Sequence, residues 1–281
     1  MVGPSEQTAG IYSTSSKPVT LRGGQTRIPG LVYLHMPLEK VSCDVNWHSA
    51  GPEELAHLSP GTVVRNLSIF SIALLSCIPG AATELQSILD QAINLRPEVL
   101  ELALEAYEQA AAEDVVRRPV LTIIDYELAS YEERLWVIDP QRELLLHQEW
   151  VSHGMGRPRG SGGTMEEALS FSNEHGTLKS SLGLFLTAET YYGRHGYSLK
   201  LNGLEEGVND NARERLIVLH GAEYVSHGRA EDRLVGRSWG CPAVRPEVSK
   251  ELIDTIKEGS LLWIYYPHQE WLAESEFLDE D

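Results

Sequence analysis

The chain has 281 residues, 42% of them hydrophobic, an ordinary globular composition that allows a sizeable core and excludes wholesale disorder. Its 41 acidic against 23 basic side chains leave a net charge of −18, a surface that repels phosphate backbones and anionic membranes and argues against nucleic acid as a partner. No apolar run approaches the ~20 residues of a membrane span, and the three cysteines, Cys43, Cys77 and Cys241, make no C-x-x-C pair of the kind zinc or dithiol redox sites use.

Residues 1–62 are punctuated by Gly, Ser and Pro and hold no sustained period of 2 or 3.6. Then Arg65 precedes the apolar run LSIFSIALLSCI and the small residues Gly80, Ala81 and Ala82, which is the grammar of a secretory signal peptide. Such a signal belongs at an N-terminus, so the expectation is a true start near Val63 or Val64, a signal over 63–82, and a non-native or disordered extension over 1–62. Export would place the mature protein in the periplasm or cell envelope. Two alternatives stay open: Cys77 as the lipidated residue of an imperfect lipoprotein box, and the apolar run as part of a buried core. With the signal removed, Cys241 is the last thiol left, and an oxidising compartment offers it no intramolecular disulfide partner.

From Glu84 to Ala112 apolar residues recur at three- and four-residue spacing, and Pro97 suits a first helical turn, so a helical element is expected over 83–116. The remainder, 117–281, reads as one β-rich domain. VLTIIDY, RLWVIDP and ELLLHQEWVSHG are strand-like, the last two joined through Asp139-Pro140-Gln141-Arg142. The Gly-rich stretch Gly154–Gly163 lacks the GKS/T of a phosphate-binding loop and is expected to be mobile. Further strands are expected from Ser180–Phe185, Tyr197–Leu201 and Leu216–Leu219, with a short helix over Asn209–Arg215 capped by Asn209. A helix opened by Pro246 and ended by Gly259 leads into a last buried strand, LLWIYYP.

The chemistry concentrates between Leu216 and Val244. A strand ends on His220-Gly221, and Ser238-Trp239-Gly240-Cys241 follows. A lone Cys is more often a small buried hydrophobe. A Cys behind a Gly, with a His at a strand end, is what a thiol nucleophile and its base require. Gly240 permits the tight turn that lets main-chain N–H groups face a developing oxyanion. His153, His175, His195 and His227 match no zinc-ligand spacing, and neither a metal nor a cofactor is expected.

In its His-Gly and S-x-G-C motifs, and in LWVIDPQRELLLHQEWVSHGMG, FSNEHGTLKSSLGLFLTAETYYGRHGYSLKLNGLEEGVND, VLHGAEYVS and GRSWGCPAV, the chain resembles the murein L,D-transpeptidase catalytic domain family (YkuD-type cysteine L,D-transpeptidases) from about Thr83 to the C-terminus. The resemblance implies a mainly β (α+β) fold, a sandwich- or barrel-like catalytic domain with accessory helices. It also implies peptidoglycan stem peptides as partners and acyl transfer through a Cys thioester to an amine. Cys241 is then the nucleophile and His220 its base, oriented through a main-chain carbonyl at Gly221. Amides of Cys241, Gly240 and Trp239 form the oxyanion hole, and Ser238 steadies the turn. Arg237, Tyr224, Ser181 and His153 are expected at the substrate groove, where Tyr191 and Tyr192 could also pack against a stem. The sequence departs from the common motif at Trp239, where a His is usual, and at Ala243, where an Arg is usual; Arg237 or Arg245 could stand in for the latter. Hydrolysis by the same site, as in an L,D-carboxypeptidase or amidase, and a non-catalytic wall-binding protein remain as rivals.

Overall fold

A computed structural model describes residues 81–278, all within the second of two units that divide at Arg65 and Asn66. The expected extension over 1–62, nearly all of the expected signal, Cys43 and Cys77 lie outside the described residues. Helix α1 (Ala81–Leu89) and helix α2 (Pro97–Ala112) form the expected hairpin, with Asn94 turning the chain in the left-handed region at φ 61°. Pro97 stands where its missing N–H has no helical partner to lose. Along α2, Val99, Leu100, Ala103, Ala106, Tyr107 and Ala110 form a stripe of 3- and 4-residue spacing that is buried in the core.

Eight strands make one mixed sheet: β1 (Leu121–Asp125), β2 (Leu135–Asp139), β3 (Leu144–Glu149), β4 (Gly183–Gly193), β5 (Gly196–Gly203), β6 (Val218–Gly221), β7 (Ala243–Val244) and β8 (Leu261–Tyr265), in the order β3-β2-β1-β8-β4-β5-β6-β7. Neighbours are antiparallel except β1 with β8 and β6 with β7. Every residue of β1 and of β8 is buried, which is why both read as nearly unbroken apolar runs rather than as alternating ones. Trp136, Phe185 and Trp263 fill the centre of the core.

The two sheet edges approach each other beyond β3. Ser152 bridges Ala243 of β7 and Gly154 bridges Ser238, so the sheet bends into a nearly closed, barrel-like form. The fold is thus α+β, mainly β, with accessory helices, as expected.

Three local expectations are corrected. The Gly154–Gly163 stretch is tied to itself and its neighbours, with the amides of Gly160 and Gly162 donating to Met155 O and that of Gly156 to Leu178 O. The helix expected over Asn209–Arg215 is a 3₁₀ turn, Asp210–Ala212, and Asn209 does not cap it with its side chain. That buried amide instead donates to Leu182 O and Leu184 O and accepts from the Glu205 N–H, joining β4 to the chain after β5. The sequence also gave no sign of a C-terminal helix. Beyond the helix α3 (Pro246–Ile256), whose Pro246 sits in its first turn as expected, comes a further helix, Gln269–Glu274, with Trp271 buried.

Candidate active site

His220 lies in β6, in register with Ser198 of β5 on one side and Ala243 of β7 on the other. Two sheet neighbours therefore fix its backbone. Its Nδ1 lies 2.9 Å from Gly221 O, and a carbonyl can only accept, so Nδ1 carries the hydrogen and the neutral ring presents Nε2 as a base. Burial, with a smaller contribution from neighbouring His195, holds the pKa of this imidazole below its ordinary value, against the Gly221 bond that favours the charged form. The ring is therefore neutral near pH 7.

Cys241 stands two residues ahead of β7, at the end of a turn clamped from both sides. Ser238 donates its N–H to His153 O and accepts from Met155, and its Oγ accepts the Gly240 N–H at 3.1 Å. Gly240 O in turn accepts from Ser180 Oγ. Gly240 has φ +113°, and a Cβ there would stand 2.6 Å from Lys179 O, so any other residue would both strain the turn and displace it. The Cys241 thiol donates to Leu216 O at 3.6 Å, and Leu216 itself adopts φ 59°, an uncommon conformation for a side-chain-bearing residue. Burial raises the thiol pKa, while the Val218 main chain and the Arg215 charge pull it down without offsetting the burial. The resting sulfur is thus a thiol, and its activation needs a base.

His220 and Cys241 open onto one cavity of about 420 Å³, within the range of small-ligand sites. Trp239, Ser238, Arg237 and Tyr224 line it too, as does Tyr191, whereas Tyr192 is exposed and packs on Tyr197. Three further groups that the sequence did not single out for this site also line it: Arg194, His195 and Arg215. No Asp or Glu does so among the described residues. Arg215 is a structural tie, its guanidinium donating to Ser172 O, Lys179 O and Ser181 Oγ. Arg194 makes no ion pair among the described residues, and Arg237 donates only to Gly163 O, so both can meet an anionic ligand. In a chain of net charge −18 this is a locally cationic hollow.

Four expectations change here. Gly240 spends its N–H on Ser238, so it serves as a turn residue, and the amides of Trp239 and Cys241 are left for oxyanion binding. Ser181 is buried, donating to Ser172 O and accepting from Arg215, and does not reach the cavity. Arg245 forks onto Glu149 at 2.6 and 2.8 Å, stacks over Trp150 and does not line the cavity, so of the two candidate stand-ins only Arg237 does. His153 is wholly buried, with Nε2 donating to Thr164 O and Nδ1 accepting from Arg134. His175 and His227 lie exposed, His175 paired with Glu214 and His227 with Glu231.

His153 has a consequence of its own. Burial, reinforced by the Arg134 charge, lowers its pKa from 6.5 to about 3. Below about pH 6.5 the unfolded chain gains a proton that the folded one refuses. The stability this group contributes is complete above that value and is lost as pH falls toward 3. Between about pH 7 and pH 4.5, wild-type protein should lose on the order of 2 to 3 kcal/mol more stability than His153→Gln, read from urea unfolding. Equal losses in the two proteins would exclude a neutral His153.

The family model described as L,D-transpeptidase catalytic domain matches residues 91–265. Among solved structures, an L,D-transpeptidase from Mycobacterium smegmatis is 14% identical, over 53% of this chain and 59% of that one, with a TM-score of 0.32. One from Stackebrandtia nassauensis is 14% identical over 59% and 66%, with a TM-score of 0.31. One from Xylanimonas cellulosilytica is 15% identical over 66% and 91%, with a TM-score of 0.32. The chain thus spans less than two thirds of the Mycobacterium smegmatis protein it resembles. No curated protein matches it.

Proposed function

Because the chain belongs to the L,D-transpeptidase catalytic domain family, we propose that it is a cysteine acyltransferase that remodels peptidoglycan, exchanging the end of a tetrapeptide stem for a new amide. The observation that carries this reading is that Cys241 and a tautomer-fixed His220 line one cavity. His220 Nε2 takes the thiol proton, and the sulfur attacks the carbonyl of the third stem residue, a diamino acid. The tetrahedral oxyanion is met by the Trp239 and Cys241 amides, an arrangement that costs no reorganisation as charge develops. Collapse breaks the peptide bond to the terminal D-alanine, whose amine receives the proton from His220. The amine of a second stem then attacks the thioester, gives up a proton to His220, and releases the thiol, leaving a 3→3 cross-link. Arg194 and Arg237 suit the carboxylates of such stems.

Trp239 has no proton to relay where the common motif has a His, so His220 carries proton transfer. Water in place of the amine would make the same site an L,D-carboxypeptidase. A non-catalytic wall-binding role is the reading this site favours least, since thiol and base are both present. Secretion through the 63–82 segment would deliver the enzyme to the cell envelope, with lipidation at Cys77 as the variant of that route.

Incubation of the full chain with purified disaccharide-tetrapeptide, followed by mass spectrometry, tests the proposal. Cross-linked dimers are the expected product. Tripeptide without dimers would reassign the protein as a carboxypeptidase, and unchanged substrate would count against catalysis altogether.

A further inference from the structure

Strands β4 and β5 meet at Gly193 and Gly196, and the two residues between them, Arg194 and His195, form the hairpin tip. The register that sets Ser198 opposite His220 carries this tip over β6. There the His195 ring stacks on the His220 ring, with centroids 4.3 Å apart and planes 23° from parallel. His220 is buried and His195 is exposed, so an outer imidazole covers an inner one.

Stacking limits what the pair can do. Ring N–H bonds and lone pairs lie in the ring planes, so two stacked imidazoles cannot pass a proton directly between them. They can exclude water from the shared face, and they cannot both carry charge without strong repulsion. The other titratable or charged groups of the cavity are Tyr191 and Arg194 on the same hairpin, Arg215 ahead of β6, Tyr224 after it, and Arg237 and Cys241 ahead of β7. None is a carboxylate that would hold His220 as an imidazolium.

We propose that His195 is a positioning residue for His220, its stacked ring shielding one face of the inner imidazole from water and opposing a second positive charge beneath it. The inference rests on the reading of His220 as the base for its meaning, though not for its test.

The test is a pH titration of the full chain by ¹⁵N NMR of the histidine rings, comparing wild type with His195→Phe and His195→Ala. Phenylalanine keeps the stack and removes the charge, and alanine removes both. The His220 pKa should rise in both variants, by about one unit in the alanine protein and by less in the phenylalanine one. The acid limb of Cys241 alkylation by iodoacetamide should move to higher pH in the same order. An unchanged His220 titration in both variants, or a fall, would overturn the proposal. Neither readout requires acyl transfer, so a shifted titration in a protein that leaves stem peptides untouched would uphold the pairing and discard the function, and the converse result would do the reverse.

Discussion

Cys241→Ala should abolish turnover of stem peptides, by roughly 10⁴-fold or more, while leaving the protein folded. The large loss is expected because covalent catalysis has no substitute once its nucleophile is gone. The Trp239 and Cys241 amides would still bind an oxyanion, but alanine supplies no atom to form the thioester. The small structural effect follows from the surroundings: Cys241 is half-buried and its thiol makes one long hydrogen bond, to Leu216 O. Its removal should change stability by less than about 1 kcal/mol. Iodoacetamide labelling among residues 81–278 should vanish with the same substitution, since Cys241 is the cysteine they contain. A variant that kept even a tenth of wild-type turnover would place the chemistry elsewhere.

Glu205→Ala should cost about 3 kcal/mol or more of stability, a large share of what a domain has to lose. The Glu205 carboxylate is buried and accepts from the Leu184 N–H at 2.6 Å, Trp271 Nε1 at 2.8 Å and Ser275 Oγ at 2.9 Å. Alanine would leave three donors in a dry site with nothing to receive them. Burial raises the pKa of this group despite those bonds. Folding therefore favours the protonated acid more than the unfolded chain does, and the group's pH-linked contribution declines as pH rises through the raised value. Urea unfolding at neutral pH measures the cost. A midpoint within about 0.2 M of wild type, at an ordinary slope for this size, would show that the C-terminal segment is not held this way.

How much of this was legible beforehand depended on whether a role is written locally. Cys241 behind Gly240, His220 ahead of Gly221, the Pro-initiated helices and the apolar strands are each contained within a few residues, and each lies where the sequence put it. His153 was expected at the groove because its segment fits the family. Instead the chain beyond β3 bends toward β7 and turns that ring inward onto Arg134. Gly193-Arg194-His195-Gly196 carries a readable hairpin signal, yet nothing local says that its tip will end over His220, because only the pairing of β5 with β6 decides that. Glu205 sits in the polar run LNGLEEGVND and looks like surface. Its burial is made by Trp271 and Ser275, some seventy residues further along.

The place of β8 in the sheet has a bearing on how the molecule comes into being. β8, the last strand among the described residues, lies between β1 and β4 and joins β1–β3 to β4–β7 within the sheet order. Until residues 261–265 are available, the emerging polypeptide can build two separate half-sheets, each with an apolar edge that wants a partner. Loop-closure entropy for pairing β1 with β8 is met only once residues 261–265 are available, so assembly is governed by distant rather than neighbouring contacts and is correspondingly slow. The strand carrying His220 and the turn carrying Cys241 belong to the half that waits. The surroundings of Cys241 are therefore completed only after residues 261–265 have joined the sheet, and a chain cut short before Leu261 carries the sulfur without that framework.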